Sequence, residues 1–297
     1  MTAGLLQAFA DWSADEEPLV LATVYETEGS TYSKAGAQML ITGDGRFHGM
    51  LSGGCLEGDL AERARAVLET GVVEAVTYDL GQNEEELWGL GVGCDGLMRI
   101  FLQPLSASQA YEPFATMARA LAGDTEQVAA TIIESSVEGI KPGATLVTVD
   151  GELAWHDIDD QSTEILSGVI GRTLLDSQST MQDISLGGGS VRALFAVLAP
   201  PPAILVLGAG LDARPVVRFA AELGWRVTVQ DHRPAYVESG DFGLAEKVIC
   251  VPVDDLSETV ELDRYRAAIV MSHHLVSDRS YLRQLARSRA TYIGLLG

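Results

Sequence analysis

Residues 203–213, Ala203-Ile204-Leu205-Val206-Leu207-Gly208-Ala209-Gly210-Leu211-Asp212-Ala213, set five apolar residues directly before a G-x-G-x-x-A turn. A short apolar run followed by such a turn reads as a buried parallel strand leading into a helix. Gly208 and Gly210 permit a tight turn and close backbone approach, Ala213 permits close helix packing, and the amides opening the helix suit a pyrophosphate. Asp231, at the end of the next strand, is placed to accept a hydrogen bond from a ribose 2′-hydroxyl. Asp212 opposes this reading, because its charge sits in the loop that would receive phosphates unless the side chain turns away or caps the helix. Two readings therefore stand: a dinucleotide site on Gly208, Gly210, Ala213 and Asp231 with NAD as ligand, or a Rossmann-like turn kept for packing.

Outward from this stretch, the downstream chain alternates strand and helix. Strands are expected over 203–207, 226–230, 248–251, 267–271 and 291–293, with helices over 215–223, ended by Gly224, and over 280–286. Such alternation implies a parallel sheet with helices on its faces. His273-His274 follows the 267–271 strand on the carboxyl edge, where open α/β sheets bind ligands; adjacent histidines alone are more often a loop feature than a metal site. The chain stops on Ile293-Gly294-Leu295-Leu296-Gly297 without a polar tail, which reads as a truncated C-terminus.

Upstream, Pro200-Pro201-Pro202 cannot sit inside a central strand or helix and marks a domain boundary. The fold expected is α/β overall: an N-terminal α+β domain over 1–198 followed by a C-terminal Rossmann-like parallel-sheet domain over 203–297. In the first domain, strands are expected over 19–26, 72–80, 97–103, 128–135, 145–149 and 191–198. Asp44-Gly45 turns a hairpin, and a helix over 56–70 is closed by Gly71. Gly187-Gly188-Gly189 reads as a turn and Glu84-Glu85-Glu86 as a solvated helix start. The sequence shows no internal repeat.

Two motifs in this domain carry chemistry. Leu51-Ser52-Gly53-Gly54-Cys55-Leu56-Glu57 places a thiol at a strand-to-helix junction, beside two residues without side chains. The helix N-terminus offers partial positive charge to the sulfur, whereas Glu57 offers negative charge. Cys55 reads either as a small packed hydrophobe or as a functional thiol, and the paired glycines favour the second. Gly89-Leu90-Gly91-Val92-Gly93-Cys94-Asp95-Gly96 has too many glycines for a regular strand and suits backbone that wraps a ligand or lies against another loop.

Composition narrows the function. Twenty basic against 42 acidic side chains give a formal net charge of −22, which opposes binding to nucleic acid or anionic lipid. Three dispersed cysteines, Cys55, Cys94 and Cys250, form neither a zinc pattern nor a disulfide framework, and the N-terminus lacks a signal-peptide pattern. A cytoplasmic, soluble protein is expected. No Ser-His-Asp order, HExxH or P-loop lysine is present.

With these residues in view, the chain resembles the XdhC/CoxI family of accessory proteins for molybdenum hydroxylases such as xanthine dehydrogenase. The resemblance rests on TEGSTYSKAGAQMLITGDGRFHGMLSGGCLEGDL and GLGVGCDGLMRIFLQPL, and then on ILVLGAGLDARPVVRFAAELGWRVTVQDHRPAY and ATYIGLLG. It implies a molybdenum-cofactor chaperone that holds the cofactor while a cysteine desulfurase exchanges a terminal oxo ligand for sulfur, then passes it to the apo-hydroxylase. By position it makes Cys55 the metal–sulfur contact, with Gly53, Gly54 and Glu57 around it, a chemistry that suits a soft thiolate; Cys94 reads either as a further cofactor-binding residue or as an incidental thiol in a tight loop. A homodimer is expected, since handover favours a protected cleft. The chain departs from the family pattern at Tyr32-Ser33, where many relatives carry Pro-Arg, and at Leu211-Asp212, where His-Val is common. An NAD-dependent oxidoreductase and a cofactor-free scaffold for hydroxylase subunits remain the alternatives.

Overall fold

The computed structural model describes residues 2–79 and 96–296. The chain divides into two compact units, Thr2–Pro200 and Pro201–Gly297.

The first unit runs α1 (Thr2–Ala14), β1 (Leu19–Glu28), β2 (Gln38–Thr42), β3 (Phe47–His48), α2 (Glu57–Thr70), β4 (Glu74–Asp79) and β5 (Leu97–Leu105). It continues with α3 (Phe114–Ala122), β6 (Gln127–Ser135), β7 (Thr145–Val149), β8 (Glu152–His156), α4 (Asp160–Asp176), β9 (Thr180–Leu186) and β10 (Gly189–Leu198). The strands form two antiparallel sheets, ordered β3-β2-β1-β5-β4 and β8-β7-β6-β10-β9. Each is a β-β-β-α-β-β unit with the same spatial order, so the architecture repeats although no repeat is legible in the sequence. Alternation and topology tolerate many side chains, and two copies can share a fold without sharing residues.

Why the sheets stack follows from β1. Its alternate residues Val20, Ala22 and Val24 pack with Leu60, Ala64 and Val67 of α2, while Leu19 and Leu21 face the other way and pack with Ala129, Val147 and Leu198 of the second sheet. Val128, Ala130 and Ile132 of β6 in turn pack with Leu166, Val169 and Ile170 of α4. The period-2 pattern of each strand thus serves a helix on one face and the facing sheet on the other. Helices α1 and α3 add Leu5, Phe114 and Met117 to the core between the sheets.

The repeat extends to irregularities. Tyr25 stands outside the β1–β5 register and Ile133 outside the β6–β10 register, and both bulged residues meet in one cluster with Phe101 and Leu194. Beside them Glu26 binds Arg99 at 2.5 Å and Arg192, from the opposite sheet, at 2.9 Å.

Helices α1, α3 and α4 and strands β8 and β9 extend the expected pattern. Of these, α4 carries a readable signal, since Asp159 Oδ1 accepts from the Ser162 N–H at 2.9 Å as an N-cap. Helix α2 closes as expected on Gly71, at φ +67°.

The second unit runs β11 (Ala203–Leu207), α5 (Ala213–Glu222), β12 (Arg226–Asp231), α6 (Pro234–Ser239), β13 (Lys247–Cys250), α7 (Leu256–Thr259), β14 (Ala267–Val270), α8 (Leu275–Leu285) and β15 (Tyr292–Leu295). Its sheet is wholly parallel, ordered β13-β12-β11-β14-β15. The strand order reverses between β11 and β14, which places the ligand crevice of such a sheet at their carboxyl ends. Helix α8 starts earlier than the expected 280 because His274 caps it: its Nδ1 accepts from the Ser277 N–H at 3.4 Å. Among the described residues no helix is long and apolar enough to cross a membrane.

Candidate functional site

The Cys55 loop connects β3 to α2 and is organised around a buried carboxylate. Glu57, only 2% exposed, accepts from the N–H groups of Leu51 at 3.0 Å, Ser52 at 2.9 Å, Gly54 at 3.0 Å and Leu56 at 3.2 Å, and from the Ser52 hydroxyl at 2.5 Å. Ser52 Oγ also accepts from the Leu56 N–H at 2.8 Å. Burial pushes the Glu57 pKa up, but the donors from Ser52 and Leu51 together outweigh it, and the carboxyl stays below its ordinary value. Glu57 therefore fastens the loop from within. Its carboxylate faces the loop's own amides, which differs from the role of a neighbour turned towards a cofactor. The amides of Leu51, Ser52, Gly54 and Leu56 are correspondingly engaged, so what this loop presents outward is the Cys55 side chain.

Cys55 is exposed. Gly53 and Gly54 precede it at φ +78° and +110°, a conformation that side chains rarely adopt, and a Cβ built on Gly54 would meet open space. A Cβ on Gly53 would lie 3.2 Å from Tyr32 Cδ2, because the half-exposed Tyr32 ring lies across that glycine. Ser33 ties the same segment to the loop by donating to the Met50 carbonyl at 3.2 Å. Lys34 supplies a local cation, its Nζ donating to Thr31 Oγ1 at 3.3 Å. Gly96 is pressed against this segment as well: a Cβ there would sit 2.5 Å from the Ser30 carbonyl oxygen. The close loop approach anticipated for the glycine-rich stretch is thus seen at its last glycine, while Cys94 and Glu84-Glu85-Glu86 lie outside the described residues. Among the described residues no group of three or more His, Cys, Asp or Glu could hold a metal ion, so a metal at Cys55 would have to arrive with its other ligands.

In the second unit the turn after β11 is built as its glycines require. Gly208, at φ +127°, leaves no room for a side chain, since a Cβ would lie 2.5 Å from the Met271 carbonyl oxygen. Asp231 is fully buried. Its Oδ2 accepts from the Ala209 N–H at 2.8 Å and Arg233 Nη2 at 2.7 Å, and its Oδ1 from Arg233 N and Nε, both at 2.9 Å. Burial again raises the pKa and is outweighed by the Arg233 side chain and the Ala209 N–H, leaving the carboxyl below its ordinary value. In this structure Asp231, expected to meet a ribose, is buried instead against the turn after β11 and Arg233, with no surface open to a 2′-hydroxyl. Gly208, Gly210 and Ala213 shape the turn around it.

Asp212 does not cap α5; its carboxylate lies over Gly210, with Oδ1 2.5 Å from where a Cβ on that glycine would be, and its Oδ2 lies 2.6 Å from His273 Nε2. His273 thus faces the β11 turn while His274 faces its own helix, so the two histidines part instead of forming a pair of ligands. Ser52, Tyr32, Arg233 and the Asp212–His273 contact were not read as site features from sequence. A serine ahead of a helix whose first residue is Glu, and an Asp-x-Arg at a strand end, were the signals available.

The geometry defines a class first: a chain carrying an exposed, glycine-flanked cysteine on a carboxylate-fastened loop, together with a Rossmann-type unit. The first part matches the family model described as XdhC and CoxI family over residues 12–79, and the second the XdhC Rossmann domain over residues 204–297. The chain belongs to the XdhC and CoxI family. It is 29% identical over 284 residues to a Bacillus subtilis protein named as a probable subunit of xanthine dehydrogenase, covering 95% of this chain and 80% of that one. It is 31% identical over 90 residues to the Escherichia coli molybdenum cofactor insertion chaperone PaoD, covering 30% of this chain and 27% of that one. A crystal structure of a Bacillus halodurans protein described as a xanthine dehydrogenase superposes with a TM-score of 0.76 at 26% identity, covering 98% of this chain and 81% of that one.

Proposed function

We propose that this chain is an accessory protein that carries the molybdenum cofactor as cargo to a molybdenum hydroxylase such as xanthine dehydrogenase. The observation that carries the reading is the exposed Cys55, held at a helix start by a loop that Glu57 fastens and flanked by glycines that leave the thiol accessible. A soft sulfur ligand suits a metal that brings the rest of its own coordination sphere. In this reading the protein holds the cofactor while a cysteine desulfurase replaces a terminal oxo ligand with sulfur, and it works as a cytoplasmic homodimer. The family assignment and the chaperone named among the relatives support it. NAD finds no comparable support, since the acid expected to hold the ribose is engaged by Ala209 and Arg233.

Anaerobic purification from cells that make the cofactor, with molybdenum and pterin measured on the protein, tests this directly. Wild type should retain both, and Cys55→Ala should retain neither. Wild type without bound pterin would overturn the function, and undiminished binding by Cys55→Ala would overturn the site. Capture of hydroxylase subunits equally by wild-type and Cys55→Ala protein from cofactor-free cells would favour a scaffold instead.

A further inference from the structure

The Rossmann unit carries a groove along α8 that holds two arginines. Residues 279–296 contain four arginines and no acid, in a chain of net charge −22. Arg279 and Arg283 stand one turn apart on α8, so their side chains share a face. Neither has an acidic partner among the described residues, whereas Arg46, Arg63, Arg99, Arg192 and Arg233 are all paired. Both line a groove of about 700 Å³ together with His273, with Asp278, which is buried and accepts from Ser272 Oγ, and with the apolar Leu275, Leu282, Ala286 and Leu295. That volume suits a small organic molecule.

The neighbouring phosphate position is closed to such a ligand. The Asp212 carboxylate stands over Gly210, its Oδ1 2.5 Å from where a Cβ on that glycine would be, and it is held there by His273. A phosphate entering the turn would meet a carboxylate. Along α8, which leads away from that edge, it would meet two guanidinium groups without acidic partners among the described residues, whose forked donors match a phosphate.

We propose that the groove between α8 and β15 binds a phosphorylated heterocycle, with Arg279 and Arg283 on the phosphate and the apolar wall against the ring. Resting on the cofactor-carrier reading, this assigns phosphate recognition within the Rossmann unit to the face of α8 and moves anion binding away from the glycine turn. The assignment needs neither Cys55 nor the metal.

The test uses the full chain and two probes: the air-stable oxidised pterin made from molybdopterin, with its phosphate, and the same compound after phosphatase treatment. Calorimetry should show wild type and Cys55→Ala preferring the phosphorylated probe by roughly tenfold or more, the discrimination expected of charge-assisted hydrogen bonds. The doubly substituted Arg279→Gln/Arg283→Gln protein should lose that preference, and Leu282→Gln should weaken both probes alike. An unchanged preference in the double variant overturns the groove alone, leaving the carrier reading intact if wild type still purifies with cofactor. Failure of wild type to bind either probe also overturns the groove, and absence of cofactor from purified wild type overturns the carrier reading separately.

Discussion

Asp212 Oδ2 and His273 Nε2 lie 2.6 Å apart and join the turn after β11 to the turn after β14. A charge that the sequence places in a phosphate loop is thereby taken up by an imidazole on the neighbouring strand's turn, 61 residues away in sequence. Both side chains are substantially exposed, so the pair stabilises the fold by less than about 1 kcal/mol. Its importance is positional, because it seats an anion of the protein where an anion of a ligand would otherwise go.

NAD at millimolar concentration should therefore give no binding heat with wild type. Asp212→Ala should not restore it, since Asp231 remains engaged by Ala209 and Arg233. A calorimetric signal from either protein would show that the turn can open to a dinucleotide.

Gly208→Ala should be strongly destabilising. The new Cβ would lie 2.5 Å from the Met271 carbonyl oxygen at φ +127°, combining backbone strain with a clash against a neighbouring strand end, together about 2–4 kcal/mol. Thermal unfolding would show a lower melting temperature; an unchanged one would mean that β14 can move aside.

Acid should loosen both units. The pKa values of Glu57 and Asp231 are lowered by folding, so the folded chain binds fewer protons than the unfolded chain wherever these groups titrate. The stability they contribute is fully present above the ordinary carboxylate range near pH 4 and is lost as pH falls through their lower folded values. Glu57→Gln removes the charge that four amides and a hydroxyl address, and should cost about 1.5–3 kcal/mol at pH 7 while flattening the acid limb of a stability–pH profile. A profile with the wild-type slope would remove Glu57 as the fastening group.

Tyr32 should govern access to Cys55. Its ring lies across Gly53, two residues before the thiol, so Tyr32→Ala should speed alkylation of Cys55 several-fold in a background where Cys94 and Cys250 are serine. Equal rates would show that the ring shields nothing. Gly54→Ala, which meets open space but forces a side chain into φ +110°, should instead distort the loop and slow or scatter the reaction.

Several elements were legible because local rules and the final environment agree. The apolar run before Gly208 is a strand buried on both faces, Gly71 caps α2 in the left-handed conformation, and the proline run coincides with the division between units. Others were hidden because their causes are distant in sequence. The twofold use of one β-β-β-α-β-β topology leaves no residue signature, and the equivalence of Tyr25 with Ile133 shows only in the register of paired strands.

What the sequence determined by itself was therefore the set of local conformations: the glycine turns, the helix caps, the parallel alternation after Pro202 and the presence of a thiol at a helix start. Tertiary structure decided which partners the charged groups take. Glu57 and Asp231 both read as groups available to a ligand, and both are turned inward, because a buried carboxylate is stable only when its oxygens are met by donors, here the amides of the Cys55 loop for Glu57 and the Ala209 amide and Arg233 for Asp231. Arg279 and Arg283, unremarkable in sequence, are left as cations without acidic partners among the described residues only once every strand and helix around them is in place.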